Sequence, residues 1–125
     1  MAQAFPNRRS RRSNRIHEAL HLQLAASAKR ARFSSFVLSD DLGLVVAAYG
    51  NPSVGEHLAA LSPKLSSGLK TWHGKLRTNH GDVLLSVAPF RYEDTTLYLS
   101  ATEGKGSVIP KELFQSGRGI LRILS

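Results

Sequence analysis

The residues best suited to chemistry in this sequence are the two histidines of the motif His17-Glu18-Ala19-Leu20-His21. Histidines four positions apart share one face of a helix, and in zinc peptidases such a pair binds Zn²⁺ while the glutamate activates the bound water. That chemistry also needs a third protein ligand and a hydrogen-bond partner for each imidazole. Glu56, His57, His73 and His80 are candidate third ligands, but no extended zinc-peptidase signature follows the motif. The sequence therefore predicts packing roles for His17 and His21 and no bound metal, with a zinc-dependent hydrolase as the alternative.

Other patterns typical of catalysis are incomplete. Residues 104–107, Gly-Lys-Gly-Ser, precede a predicted helix but lack the length and the Lys-Ser/Thr pair of a phosphate-binding loop. The paired acids at 40–41 and 93–94 lie in predicted turns, where hydrogen bonds to the local backbone account for them. The chain has no cysteine, which excludes disulfides, thiolate metal sites and cysteine nucleophiles. We therefore expect a protein that is not an enzyme and has no cofactor.

The net charge of +8 is concentrated at the N-terminus. Residues 1–32 carry eight Arg and Lys against one Glu, giving +7, whereas residues 33–125 carry nine against eight, giving +1. Residues 1–13 offer little to bury, and we predict that they form a disordered arm. Its arginines either contact an anionic surface of nucleic acid or lipid, or serve only solubility, and phosphorylation of Ser10 and Ser13 is a further alternative. The electrostatic candidates are Arg8, Arg9, Arg11, Arg12 and Arg15.

The remaining residues, 14–125, have the size and apolar content of one domain with a single core. No apolar run approaches the roughly 20 residues of a membrane span, and the basic N-terminus lacks the apolar segment of a secretory signal. Together with the absence of cysteine, these features favour a cytoplasmic location.

The first half of this domain predicts a helix followed by a hairpin. Apolar residues recur every four positions from Ile16 to Ala28, which predicts a helix over 15–32, capped by Ser13 or Asn14. Residues 33–39 and 44–49 are rich in β-branched and aromatic residues and flank the turn Asp40-Asp41-Leu42-Gly43. This pattern predicts a β-hairpin.

A long helix is predicted next. Ser53 and Glu56 have the spacing of a capping box, and an apolar stripe runs in phase from Val54 to Trp72. Pro63 interrupts the pattern, so the helix either kinks there, which we favour, or gives way to a second helix capped by Ser62. The opposite face carries small residues, which permit close approach of another helix and make this face a candidate contact surface.

Strands are predicted over 75–79, 83–90 and 95–102, followed by a final helix with Pro110 near its start. The resulting order, α-β-β-α-β-β-β-α, predicts an α/β fold in which a five-stranded antiparallel sheet is sandwiched by helices. The short polar strand over 75–79 would lie at an edge of this sheet, beside the long helix. Together, helix face and edge strand supply the candidate partner or dimer interface, namely Ala59, Pro63, Ser66, Ser67, Lys70, Lys75 and Arg77.

The sequence resembles the roadblock/dynein-light-chain family over roughly residues 15–125. Residues 36–47, Phe-Val-Leu-Ser-Asp-Asp-Leu-Gly-Leu-Val-Val-Ala, are similar to the family's first hairpin, and residues 82–87 and 96–101 are similar to its paired central strands. Pro63 and the arginine-rich arm depart from the pattern. The resemblance implies a non-enzymatic homodimer, or a heterodimer with a related roadblock domain. Such a dimer would bind a small Ras-like GTPase as an adaptor or regulator, or act as a light-chain scaffold.

Overall fold

The computed structural model describes residues 8–78, 81–103 and 108–125. In chain order the elements are α1 (Arg8–Ala31), β1 (Ser35–Ser39), β2 (Val45–Tyr49), α2 (Pro52–Leu65), β3 (Trp72–Thr78), β4 (Gly81–Tyr92), β5 (Thr95–Thr102) and α3 (Val108–Leu124). The strands form one sheet in the order β2-β1-β5-β4-β3, and all neighbours are antiparallel. The predicted fold class and element order are confirmed.

The helices cover the two faces of the sheet unequally. Helices α1 and α3 pack together on one face, where Leu24, Phe36, Leu99 and Ile120 are fully buried. Between these helices the Ser116 hydroxyl donates to the Ser27 hydroxyl over 2.7 Å. Helix α2 alone covers the other face, over a smaller core that its Leu58 and Ala59 share with strand residues. The single helix on this face leaves room beside it.

The hairpin of β1 and β2 forms as predicted. The Asp40 carboxylate accepts hydrogen bonds from the amides of Leu42 (3.0 Å) and Leu44 (2.9 Å). Gly43 takes a φ of +83°, in the left-handed region that glycine adopts without strain. The acidic residue and the glycine of this turn therefore have the local backbone roles inferred from the sequence.

The predicted start of the first helix and the predicted cap of the second were wrong, whereas Pro110 lies near the start of α3 as expected. Helix α1 begins at Arg8, so Ser13 and Asn14 lie inside the helix and not at its start. Part of the predicted arm, residues 8–13, is thus helical in its backbone, while residues 1–7 lie outside the described part of the chain. Helix α2 is capped by Asn51, whose side chain accepts from the amides of Ser53 and Val54, and not by a capping box at Ser53.

The end of α2 was also predicted wrongly. The helix passes through Pro63 and ends at Leu65, so neither a helix extending to Trp72 nor a second helix capped by Ser62 is formed. A single 3-10 turn, Ser67–Leu69, follows, in which Gly68 has a φ of +72°. Because a left-handed residue cannot continue a right-handed helix, the chain turns here and enters β3 at Trp72.

Candidate interaction surface beside the sheet edge

The two edges of the sheet differ in how they are covered. At the β2 edge, α1 packs alongside the strand, and the ring nitrogen Nδ1 of His21 donates to the carbonyl oxygen of Ala48 over 3.0 Å. At the other edge, among the strands of the described chain, β3 pairs with β4 on one side and with none on the other. Its outer main-chain groups are therefore available to a strand from another molecule. The sequence prediction of a sheet edge here is confirmed, with the strand running from Trp72 to Thr78 instead of over residues 75–79.

Side chains alternate along β3 between the two faces of the sheet. Trp72 and Leu76 are half-buried and pack against the smaller core on the α2 face. Lys75 and Arg77 alternate with them and are exposed. Arg77 Nε lies 3.8 Å from a carboxylate oxygen of Asp82, with side-chain exposures of 92% and 56%, so this ion pair contributes little to stability. Both predicted contact residues on this strand are thus accessible at the open edge.

A groove of about 630 Å³ lies beside the N-terminal half of α2, against one end of the sheet, where β1, β5, β4 and β3 each contribute lining residues. Val54, Leu58, Leu76 and Val83 give it an apolar lining, and its polar lining includes Asn51, Ser53, His57, Arg77 and Glu103. The groove exists because α2 covers only part of its face of the sheet. It adjoins the open edge at β3, so one partner can contact both.

The leucine stripe of α2 lies partly on the surface. Leu58 is fully buried, whereas Leu61 and Leu65 are half-buried. Val54 is 40% exposed, and Leu69, beyond the end of the helix, is 53% exposed. The stripe predicted from the sequence to be core therefore leaves apolar area on the molecule's surface, part of it in the groove.

Part of the small face of α2 lies in the interior, which corrects the predicted contact surface at those positions. Ala59 and Ser66 are 0% and 1% exposed, and Pro63 is half-buried. The small residues do permit a close approach, but the element that packs closely against them is the sheet of the same chain. Of the predicted interface residues on this segment, only Ser67 and Lys70 are exposed, and both follow the helix on the way to β3.

The histidines of the His-Glu-x-x-His motif meet on α1. Their Nε2 atoms lie 3.0 Å apart, and the rings are edge to face with centroids 4.4 Å apart. Among the described residues, no group of three or more His, Cys, Asp or Glu side chains is arranged to hold a metal ion. None of the predicted third ligands within the described residues joins the pair, while His80 lies outside them. Within the described residues, His17 and His21 thus form a pair that lacks the third protein ligand of a zinc peptidase.

The arginines predicted to contact an anionic surface lie on the same helix. The backbone at Arg8, Arg9, Arg11 and Arg12 is helical, and their side chains lie outside the described part of the structure. Arg15 is exposed on α1. No helix of the described chain is long and apolar enough to cross a membrane.

No protein-family model matches this sequence, and neither does any curated protein sequence. Solved structures do match. An MglB in a tetrameric arrangement has a TM-score of 0.60 at 13% identity, over 86% of this chain and 89% of its own. MglB from Myxococcus xanthus has a TM-score of 0.56 at 10% identity, over 98% of this chain and 94% of its own. The gliding protein MglB from Thermus thermophilus has a TM-score of 0.59 at 13% identity, over 86% and 90%.

At these identities the likeness establishes the fold. The chain has the fold of the MglB structures over nearly its whole length, and the roadblock-like architecture predicted from the sequence is confirmed.

Proposed function

We propose that this chain is a non-catalytic, dimeric regulator of a small Ras-like GTPase. The observation that carries the proposal is the likeness to MglB structures, which covers at least 86% of this chain and 89% of each neighbour. Roadblock-type domains of this kind act on small GTPases without a cofactor. A GTPase partner of this class would place the chain in the cytoplasm.

The open edge at β3 supports dimerisation. Two copies related by a two-fold axis would pair their β3 strands antiparallel and satisfy each other's outer main-chain groups. The same axis would bring each copy close to the other's groove and cover its apolar lining, which includes the exposed Val54 and the half-buried Leu76. Ser67, Lys70, Lys75 and Arg77 would lie in or beside this interface. The β2 edge is less suited to pairing because α1 already packs against it.

Regulation would act through the conformation of the GTPase. A protein that binds one arrangement of the GTPase switch loops more tightly than another shifts the population toward it. The exposed arginines at the candidate interface bear on the competing mechanism, donation of an arginine finger. Arg77 sits on an edge strand with 92% of its side chain exposed, and within the described residues its ion-pair contact is a distant, solvated one to Asp82. Such a side chain lacks the rigid support that a finger requires.

The proposal is tested with a small Ras-like GTPase from the same organism, chosen first from any whose reading frame adjoins this one. Binding is measured by calorimetry with the GTPase loaded with GDP and with a non-hydrolysable GTP analogue, and GTP hydrolysis is measured with and without this chain. We expect tighter binding to one nucleotide state and a hydrolysis or exchange rate that changes on binding. Failure to bind in either state would refute regulation of that GTPase and leave a scaffold role for the dimer.

A further inference from the structure

We propose that His17 and His21 form an exchangeable binding site for a divalent transition-metal ion, on the opposite edge of the sheet from the candidate interaction surface. The proposal is independent of the GTPase. It differs from the zinc-peptidase alternative because it requires no third protein ligand and no hydrolysis.

The distance between the two nitrogens fits a shared ion. Ligand nitrogens lie about 2.0–2.1 Å from Zn²⁺. Two such nitrogens are about 2.9 Å apart at a right angle and about 3.3 Å apart at the tetrahedral angle. The observed separation of the Nε2 atoms of His17 and His21 is 3.0 Å, between these values. The separation therefore fits a shared ion, and binding requires the two rings to turn so that both lone pairs point at the ion and no longer along the line between the two nitrogens.

The environment of His21 prepares its Nε2 for coordination. The carbonyl oxygen of Ala48 can only accept a hydrogen bond, so Nδ1 of His21 must carry the proton. In a neutral ring, Nε2 then presents a lone pair. A backbone carbonyl on the remote nitrogen is a common way for proteins to orient a metal-binding histidine. Without metal, His17 Nε2 donates its proton to that lone pair, and on metal binding His17 takes the other tautomer by exchange with solvent.

The helix supplies the spacing and the rigidity. Residues four apart share a helix face, and α1 is anchored beside the pair by Leu20 and Leu24, which are 2% and 0% exposed. His17 is exposed and His21 is half-buried, so the pair is open to an incoming ion. Little conformational freedom remains to be lost on binding.

The donor set selects the class of ion. Imidazole nitrogens suit Zn²⁺, Cu²⁺ and Ni²⁺, whereas Mg²⁺ and Ca²⁺ prefer oxygen ligands. Two protein ligands leave the other coordination positions to water or to a ligand from a second molecule. An ion held in this way exchanges readily, so purified protein is expected to carry far less than one zinc per chain.

The experiment uses the full chain without an affinity tag, titrated with ZnCl₂ or NiCl₂ in a non-coordinating buffer. We expect one ion per chain, no binding of MgCl₂, and a higher melting temperature with Zn²⁺, since the unfolded chain lacks the arranged pair. Nitrogen-15 NMR of the imidazoles should show coordination at Nε2 of both rings and a retained Nδ1 proton on His21. His17→Ala, which leaves the bond to Ala48 in place, should weaken binding by about tenfold or more and remove the thermal shift.

The matched control moves one histidine along the helix. His21→Ala combined with Leu22→His keeps two histidines on α1 but sets them about 140° apart around its axis. Leu22 is 71% exposed, so this position tolerates the change. The control should bind as weakly as His17→Ala. Wild-type affinity in either variant, with the fold verified by circular dichroism, would overturn the proposal and assign the ion to other groups.

Discussion

Gly43, at the tip of the β1–β2 hairpin, lies directly against Ala60 of α2. A Cβ atom built on Gly43 would sit 3.3 Å from the Cα of Ala60 and 3.5 Å from the carbonyl oxygen of Ala59. The hairpin reaches the helix this closely because both contact positions on α2 are alanines. The small residues of α2 thus serve packing within the chain.

Replacing Gly43 with Ala should destabilise the fold for two reasons, the φ of +83° and the contact with Ala60. We expect a loss of about 1–3 kcal/mol in the free energy of unfolding, measured by urea denaturation. Gly68→Ala is the matched control, because its φ is +72° but a Cβ there meets nothing within 4 Å. Gly68→Ala therefore measures the cost of backbone strain alone, and its loss in the free energy of unfolding should be smaller than that of Gly43→Ala. Equal losses would mean that the hairpin does not press on α2.

Ala59→Arg should unfold the protein or destabilise it by about 3–5 kcal/mol, because it places an unpaired charge in the interior. Ala59 is 0% exposed and packs in the smaller core. Glu56→Arg, at an exposed position of the same helix, is the control and should stay folded. Thermal melts compare the two. A stable Ala59→Arg variant with a lost partner contact would restore the small face as an external surface.

Val54→Asp should weaken dimerisation by about tenfold or more, because the charge enters the apolar groove beside the open edge. The fold should remain intact, since Val54 is 40% exposed and lies in the first turn of α2. The helix dipole stabilises an acidic side chain at this position. Leu22→Asp is the control, at an exposed leucine on α1. Analytical ultracentrifugation gives the dimer dissociation constant of each variant. A monomeric wild-type chain at high concentration would contradict the proposed dimer.

The sequence was most informative where strong β-formers stand between clear turn residues. The bounds of β5, Thr95–Thr102, agree with the prediction, because Glu93-Asp94 and Gly104 bracket a run of β-branched and aromatic residues. The start of α1 was missed because residues 8–13 are all Arg or Ser. Such a polar run has neither an apolar periodicity nor a helix-breaking residue, and it is equally typical of a disordered segment and of an exposed helix.

The face of α2 was assigned wrongly for a different reason. Periodicity identifies an apolar stripe but does not say how close the neighbouring sheet must come. Here the sheet and hairpin come close enough that alanine and serine fill the contact, and part of the leucine stripe turns to the groove. The groove was not predicted either, since it depends on which part of the sheet a single helix leaves uncovered. The hydrogen bond from His21 to Ala48 joins residues 27 positions apart, so local sequence carries no signal for it.

Replacing Arg8, Arg9, Arg11 and Arg12 with Gln tests the arm. Over residues 14–31 of α1, where the structure describes the side chains, buried positions begin at Leu20, so we expect the melting temperature to change little. If the arm binds an anionic surface, the substitution should remove binding to duplex DNA or to phosphatidylserine vesicles, together with its salt dependence. Comparing the two ligands at 50 and 200 mM salt, about the range in which such contacts weaken most, separates nucleic acid from lipid. Equal affinity of variant and wild type would show that the arm makes no such contact.

Single Arg→Ala changes at Arg12, Arg77 and Arg91 should each leave most of any stimulation of the GTPase intact. An arginine finger contributes about 10³–10⁵ in rate, so its removal cannot be mistaken for a modest binding defect. Arg77 is solvated at the open edge, and Arg91 donates from Nη1 to the Thr96 hydroxyl over 3.3 Å, a long bond that does not aim the side chain rigidly outward. The measurement is single-turnover GTP hydrolysis at saturating concentrations of each variant, with binding checked by calorimetry. A near-total loss of stimulation in one variant that still binds would show that this chain contributes a catalytic group, and the population-shift mechanism would fail.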